Sequence, residues 1–221
     1  MRAVLPGPLP QERAAVQLPK KHNQENAMHK ALVGGAGLVP RHLTLVPYLT
    51  PEEVQKLTSA CRGRHRRRDA LLIDTLFQTG LRISEALALT PRHLGNLHGG
   101  TVLTIQGKGG KPRLVACPEL LAARLKSYAY DKGLGMDDRF FPINRKRGWQ
   151  IITAAAAQAG LPKKVWPHLL RHSDAIERLR QTGNPKALML HLRHNSPLMT
   201  LRYLSTLTAV EAVRIQQGVV F

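Results

Sequence analysis

Four short stretches of this chain hold side chains that could do chemistry together. Thr79-Gly80-Leu81-Arg82-Ile83-Ser84-Glu85 places an arginine at a helix start just after a glycine break. Gly107-Lys108-Gly109-Gly110-Lys111 sets two lysines in a glycine-rich run, and His168-Leu169-Leu170-Arg171-His172 brings two histidines and an arginine within one helical turn. His194 is followed nine residues later by Tyr203. Guanidinium, ammonium and imidazole groups are donors that grip anions, and a phenol is a weak acid with a pKa of about 10. Each stretch alone has a plainer reading. Arg82 can pair with Glu85 on a helix surface, Lys108 can be a solvated turn residue, and Tyr203 can be a core aromatic. His168 and His172 stand at i, i+4, a spacing that could hold a metal with His191 and His194. No carboxylate or cysteine joins them, however, and Arg171 would sit beside the cation, so no metal is expected.

The elements that must position these residues are mostly helical. Thr50-Pro51-Glu52-Glu53 is a helix start with a capping threonine, a proline at the first position and a glutamate that completes a capping box. A second helix is predicted from about Asp69 to Phe77, broken by Thr79-Gly80, and a short one from Arg82 to Leu89. Thr101–Gln106 and Arg113–Cys117 read as two strands of a hairpin whose tip is the glycine-rich basic run. Helices are then expected at about Pro118–Tyr130, Trp149–Ala159, His168–Gln181 and Pro185–His191, with a short segment near Met199–Leu204. A second capping box at Thr208-Ala209-Val210-Glu211 starts a last helix to about Gln217. The fold class is therefore mostly α with a small antiparallel β-sheet. Residues 1–47 are proline-rich at the start and glycine-rich near the end, and read as an arm with one modest helix around Gln24–Leu32. The folded domain is expected over residues 48–221.

The chain of 221 residues has a net charge of +19, and its 43% hydrophobic content is enough for a core. Two cysteines exclude a disulfide framework and a Cys-rich zinc module. No run approaches the ~20 apolar residues of a membrane span. The partner implied by the charge is a polyanion, bound with release of counterions. Residues 1–47 carry only +4 of the excess and residues 48–221 carry +15, so the charge belongs to the folded part. Its densest run is Arg62-Gly63-Arg64-His65-Arg66-Arg67-Arg68.

Taken together and in order, the four stretches resemble the catalytic domain of the tyrosine recombinase (phage integrase) family, over about Thr50 to Thr206. Arg82 matches the family's T-G-L-R-x-S-E box, Lys108 its G-K-G-x-K hairpin, His168 and Arg171 its H-x-x-R, and His194 with Tyr203 its last box. The resemblance implies attack of the Tyr203 oxygen on a DNA phosphodiester. Arg82 and Arg171 would fork the non-bridging oxygens, and His168 is the candidate base for the phenol. Lys108, favoured over Lys111, is the candidate acid for the leaving 5′-oxygen, and His194 would donate to the phosphate. Glu85 would fix the geometry of the site, and His172 is expected to be a buried structural histidine. The covalent 3′-phosphotyrosine conserves bond energy, so no cofactor is expected.

The expected partner is double-stranded DNA, gripped through its backbone by Arg62, Arg64, Arg66, Arg67, Arg68, Lys111, Arg113, Arg145, Lys146, Arg147, Lys163 and Lys164. The resemblance implies a homotetramer, two dimers assembled on DNA, with a monomer expected off it, and the lack of a signal-peptide stretch or a membrane span makes the cytoplasm the expected location. The segment beyond Tyr203 would pack on its own domain or dock on a neighbour. Two departures stand out. Arg193 replaces the glycine usual before the last histidine, and Asp174 stands where a large apolar residue is usual, with Arg178 at i+4 as its expected partner. The family's usual helical core-binding domain is not matched by the residues before Tyr48. Two alternatives remain open, a catalytically silent DNA-binding protein of this fold and a type IB topoisomerase-like relaxing enzyme.

Overall fold

A computed structural model of the chain describes residues 47–106, 112–193, 197–204, 206–208, 211 and 215–218. The expected arm and its helix at Gln24–Leu32, together with Lys108, Lys111 and His194, lie outside the described residues.

The first helix, α1 (Pro51–Ser59), starts on the expected box. Thr50 Oγ1 accepts from the Glu53 amide at 3.3 Å, and the Glu53 carboxylate accepts from the Thr50 amide at 2.9 Å. Helix α2 (Arg66–Thr79) buries Leu71, Leu72, Ile73 and Leu76 and stops at Gly80 in the left-handed region. Its first turn takes in Arg66–Arg68, ahead of the expected start at Asp69. Helix α3 (Ile83–Leu87) follows at once, with Arg82 as its cap residue.

A three-stranded antiparallel sheet comes next, in the order β1 (Leu94–Leu97), β2 (Gly100–Gln106), β3 (Pro112–Ala116). The hairpin β2–β3 is as expected, while β1 adds a strand that the sequence does not announce. Leu97 pairs with Gly100, which leaves a two-residue turn of His98 and Gly99 with φ of 49° and 82°. Positive φ at both positions is the geometry of the tight hairpin turn whose twist matches the flanking strands.

Three longer helices and two of eight residues follow: α4 (Glu119–Lys132), α5 (Arg145–Gln158), α6 (Pro167–Thr182), α7 (Pro185–Leu192) and α8 (Pro197–Leu204). Asn144 caps α5 by accepting from the Arg147 amide at 2.8 Å, so that helix begins before its first apolar residue. Asn184 caps α7 in the same way, through the Ala187 amide at 2.9 Å.

The apolar residues form two clusters. The larger gathers α1–α5, the sheet and the start of α6, with Leu72, Ile73, Phe140 and Phe141 fully enclosed. The smaller joins Ala175, Ile176 and Leu179 of α6 to Leu188 and Leu192 of α7 and to Tyr203 of α8. Helix α6 threads both, and Arg171 lies on it between the two. Among the described residues no helix is long and apolar enough to cross a membrane.

Candidate active site

The two arginines expected at the phosphate arrive by different routes. Arg82 caps α3 with its side chain 48% exposed. Arg171 is only 5% exposed and is held from both sides. One terminal nitrogen donates to the Gly80 carbonyl and the other to the Leu192 carbonyl at 2.6 Å. These oxygens belong to the end of α2 and the end of α7, where helices leave carbonyls unsatisfied. Burial, and then the positive Arg82 close by, push the Arg171 pKa down to about 10, which leaves it charged at neutral pH.

Glu85 stands beneath this pair. Its carboxylate accepts from the Arg82 amide at 2.8 Å and from the Arg82 guanidinium at 3.1 Å. It also accepts from Arg113 at 2.8 Å. Arg113, expected on the DNA backbone, is 8% exposed and turned inward. Its other terminal nitrogen donates to the His191 carbonyl at 3.1 Å. Burial is the main cause that lowers its pKa, opposed by Glu85.

Tyr203 is 4% exposed, and its hydroxyl lies 2.7 Å from Nδ1 of His172, with the rings tilted 52° at 5.8 Å between centroids. The histidine at the phenol is thus His172, the one expected to be merely structural. His168, expected as the base, is exposed one turn earlier on the same helix. Burial lowers the pKa of both rings. The next causes are Arg171 and Arg82 for His168, and His168 and Arg171 for His172. Both are therefore neutral imidazoles at pH 7.

The two departures are accommodated. Asp174 is 3% exposed, and its Oδ1 takes the expected bond from Arg178 Nε at 2.7 Å. Arg178 also donates to the Gln78 carbonyl at 2.6 Å. The other Asp174 oxygen faces His191 Nε2 at 3.6 Å, too far for a hydrogen bond. Arg193 adopts φ 51° and ψ 53°, the left-handed conformation that closes a helix and that glycine would take without strain. The turn geometry is kept, at a conformational cost of about 1 kcal/mol.

The other basic residues divide into two groups. Arg67 pairs with Asp131, bonds Ser127 at 3.0 Å and lies over the Tyr128 ring. Arg68 pairs with Asp69 at 2.7 Å, and Lys163 bonds Glu53 at 2.9 Å and the Tyr48 carbonyl at 3.0 Å. Arg62 donates to the Ser59 carbonyl at 2.5 Å. By contrast Arg64, Arg66, Arg145, Lys146, Arg147 and Lys164 are exposed, and no described carboxylate pairs with them. Beyond Tyr203 the described residues turn back on their own domain. The Glu211 carboxylate is 2.7 Å from Arg180 Nε, though out of line for a hydrogen bond, and Ile215 packs against Gly183. Among the described residues no three His, Cys, Asp or Glu side chains form a metal site.

Comparison with known proteins gives these positions a context. The chain is 33% identical over 187 residues to tyrosine recombinase XerD of Mycobacterium leprae (strain TN), covering 75% of this chain and 58% of that protein. It is 35% identical over 142 residues to tyrosine recombinase XerC of Xanthomonas axonopodis pv. citri (strain 306), covering 62% and 46%. The chain therefore spans about half the length of the curated relatives it matches. The fold agrees with that of XerH site-specific recombinase in a post-cleavage complex with palindromic difH substrate. The TM-score is 0.67 at 24% identity, over 79% of this chain and 54% of that one. The profile of the phage integrase family matches residues 47–209, a span that holds both arginines, the hairpin and Tyr203, and the chain belongs to that family, the tyrosine recombinases.

Proposed function

We propose that this chain cleaves and rejoins double-stranded DNA at specific sites through a 3′-phosphotyrosyl link to Tyr203. The observation that carries this reading is the meeting of Tyr203 with the Arg171 helix. The phenol lies 2.7 Å from His172, and Arg171 is adjacent in sequence and bonded to Gly80 beside Arg82. In the reaction the Tyr203 oxygen forms a bond to the scissile phosphorus, and the bond from phosphorus to the 5′-oxygen breaks. The phenol proton passes to a neutral imidazole; His172 is in reach of it and His168 is one turn away. Lys108 supplies a proton to the 5′-oxygen, and His194 donates to the phosphate. Charge that grows on the non-bridging oxygens is met by Arg82 and Arg171, whose orientation is set before the substrate arrives. A 5′-hydroxyl from the partner strand then reverses the step and restores the phenol.

Of the expected contacts, Arg64, Arg66, Arg145, Lys146, Arg147 and Lys164 are the described cations left to hold the flanking backbone, because Arg62, Arg67, Arg68, Arg113 and Lys163 are engaged within the chain. Lys111 would join those six on the backbone. The assembly would be a homotetramer of two dimers on DNA, with a monomer off it, in the cytoplasm. A nicked suicide duplex tests the reading. Wild-type protein should become covalently attached to DNA, and Tyr203→Phe should not. An adduct with Tyr203→Phe would remove Tyr203 as nucleophile. Salt-sensitive binding with no adduct from any site would favour a silent DNA-binding protein. Relaxation of supercoiled plasmid without site preference would favour a topoisomerase-like enzyme.

A further inference from the structure

We propose that Arg113 is a positioning residue that ties strand β3 to the Glu85–Arg82 pair of α3 and to the end of α7, and that it makes no contact with DNA. This role rests on the strand-cleavage reading above. The chain places Arg113 five residues after Lys108 and on β3, the strand that follows the hairpin tip. Its guanidinium reaches Glu85 at 2.8 Å, the carboxylate that also holds the Arg82 amide at 2.8 Å and the Arg82 guanidinium at 3.1 Å. The same guanidinium reaches the carbonyl of His191 at 3.1 Å, and His191 is three residues before His194.

One planar group therefore bonds two elements while standing on a third. A lysine ammonium is a compact point charge on a flexible stem and does not reproduce that fork. The side chain is 8% exposed, and each terminal nitrogen commits an N–H inside the protein, one to Glu85 and one to the His191 carbonyl. Without it, Glu85 would keep Arg82 as its hydrogen-bond partner among the described residues. The end of α7 would lose one of the two described arginine bonds to its carbonyls and keep the Arg171 bond to Leu192.

The test compares Arg113→Met and Arg113→Lys with wild type in two assays. One is binding to a duplex site across a salt series, and the other is the single-turnover rate of adduct formation on a nicked duplex. For Arg113→Met we expect an unchanged salt slope and a cleavage rate down by about 10²-fold, the scale of an ångström-sized misplacement. Arg113→Lys should fall between. A duplex with sulfur in place of the leaving 5′-oxygen needs no proton from Lys108 and should recover part of the Arg113→Met loss, which a general loss of folding would not. Glu85→Gln combined with Arg113→Met should cost less than the sum of the two.

A salt slope reduced by about one would make Arg113 a phosphate contact and overturn the proposal. So would wild-type cleavage by Arg113→Met, or a defect in both Arg113 variants that the sulfur-bearing duplex leaves untouched. If Arg113→Met does not fold, Arg113→Lys is judged by the same three readouts. A wild-type protein that forms no adduct would refute the strand-cleavage reading itself, and this role with it.

Discussion

Gly80→Ala is the sharpest single test of how the site is built. Gly80 ends α2 at φ 60° and its carbonyl takes a bond from Arg171. A methyl group built there overlaps Asp174 Oδ2 and comes within 2.9 Å of Leu192 Cδ2. Neither neighbour can yield freely, because Asp174 is buried and held by Arg178 at 2.7 Å, and Leu192 belongs to the smaller core. Forcing alanine into the left-handed region costs about 1–2 kcal/mol, and overpacking a buried site adds about 1–3 kcal/mol. Alanine's smaller freedom in the unfolded chain returns about 0.4–1 kcal/mol. The net is about 2–4 kcal/mol, which in a domain of this size lowers Tm by about 5–15 °C. Gly133→Ala is the internal control: its φ is 62° with open space around it, so only the conformational cost applies. Thermal unfolding of both variants decides the matter, and Asp174→Ala in the Gly80→Ala background should be coupled to it by about 1 kcal/mol or more. If Gly80→Ala melts with Gly133→Ala, the close packing of Gly80 on Asp174 is wrong. Below its melting range Gly80→Ala should still bind DNA but form the covalent adduct more slowly, since the Arg171 anchor has moved.

Acidification should destabilise the protein through its histidines. Burial holds the pKa values of His168 and His172 below the ordinary histidine value of about 6.5, so below that pH the unfolded chain binds more protons than the folded one. This contribution is fully present above about pH 6.5 and is lost as pH falls toward the folded pKa values; Tm measured across that window should fall less in His172→Gln. Arg193→Gly should raise stability by up to about 1 kcal/mol in denaturant unfolding, because it relieves a left-handed arginine. The thiols of Cys61 and Cys117 are buried with pKa values pushed up to about 11, so a thiol reagent should label them at neutral pH only as the protein unfolds.

What the sequence makes legible is what local chemistry decides. The Thr50 box, the hairpin and the Asp174–Arg178 pair all follow from residues within a few positions of one another. The start of α2 is missed because Arg66–Arg68 carry no apolar periodicity, although arginine is a good helix former. Helix α5 begins early for a similar reason, since the Asn144 cap precedes the apolar pattern. Strand β1 is Leu-Gly-Asn-Leu, with two residues that disfavour strands, and it exists because β2 offers it a ladder. In the site, the residue types and their order are readable, but the pairing of Tyr203 with His172 depends on how α8 returns over α6. The inward turn of Arg113 is hidden for the same reason: an arginine beside a basic loop carries no local sign of it.

The charge excess takes a different meaning once burial is known. A basic chain of this kind invites the assignment of every arginine to phosphate, yet Arg113 and Arg178 commit donors to Glu85, Asp174 and the carbonyls of His191 and Gln78, and even Arg171 commits two of its five N–H groups to the carbonyls of Gly80 and Leu192. Those carbonyls lie near the ends of α2 and α7, where orphan acceptors carry partial negative charge. Buried cations at that junction need partners, and helix ends converging on α6 supply them. The same logic accounts for Asp174. A carboxylate there replaces core volume, but it neutralises Arg178, which in turn ties down the last turn of α2. Arg171 can then sit nearly enclosed and still be charged, because its position is fixed by carbonyls and its charge is offset by Glu85. A departure that looks damaging in the motif is thus part of the scaffold that holds the motif's central arginine in place.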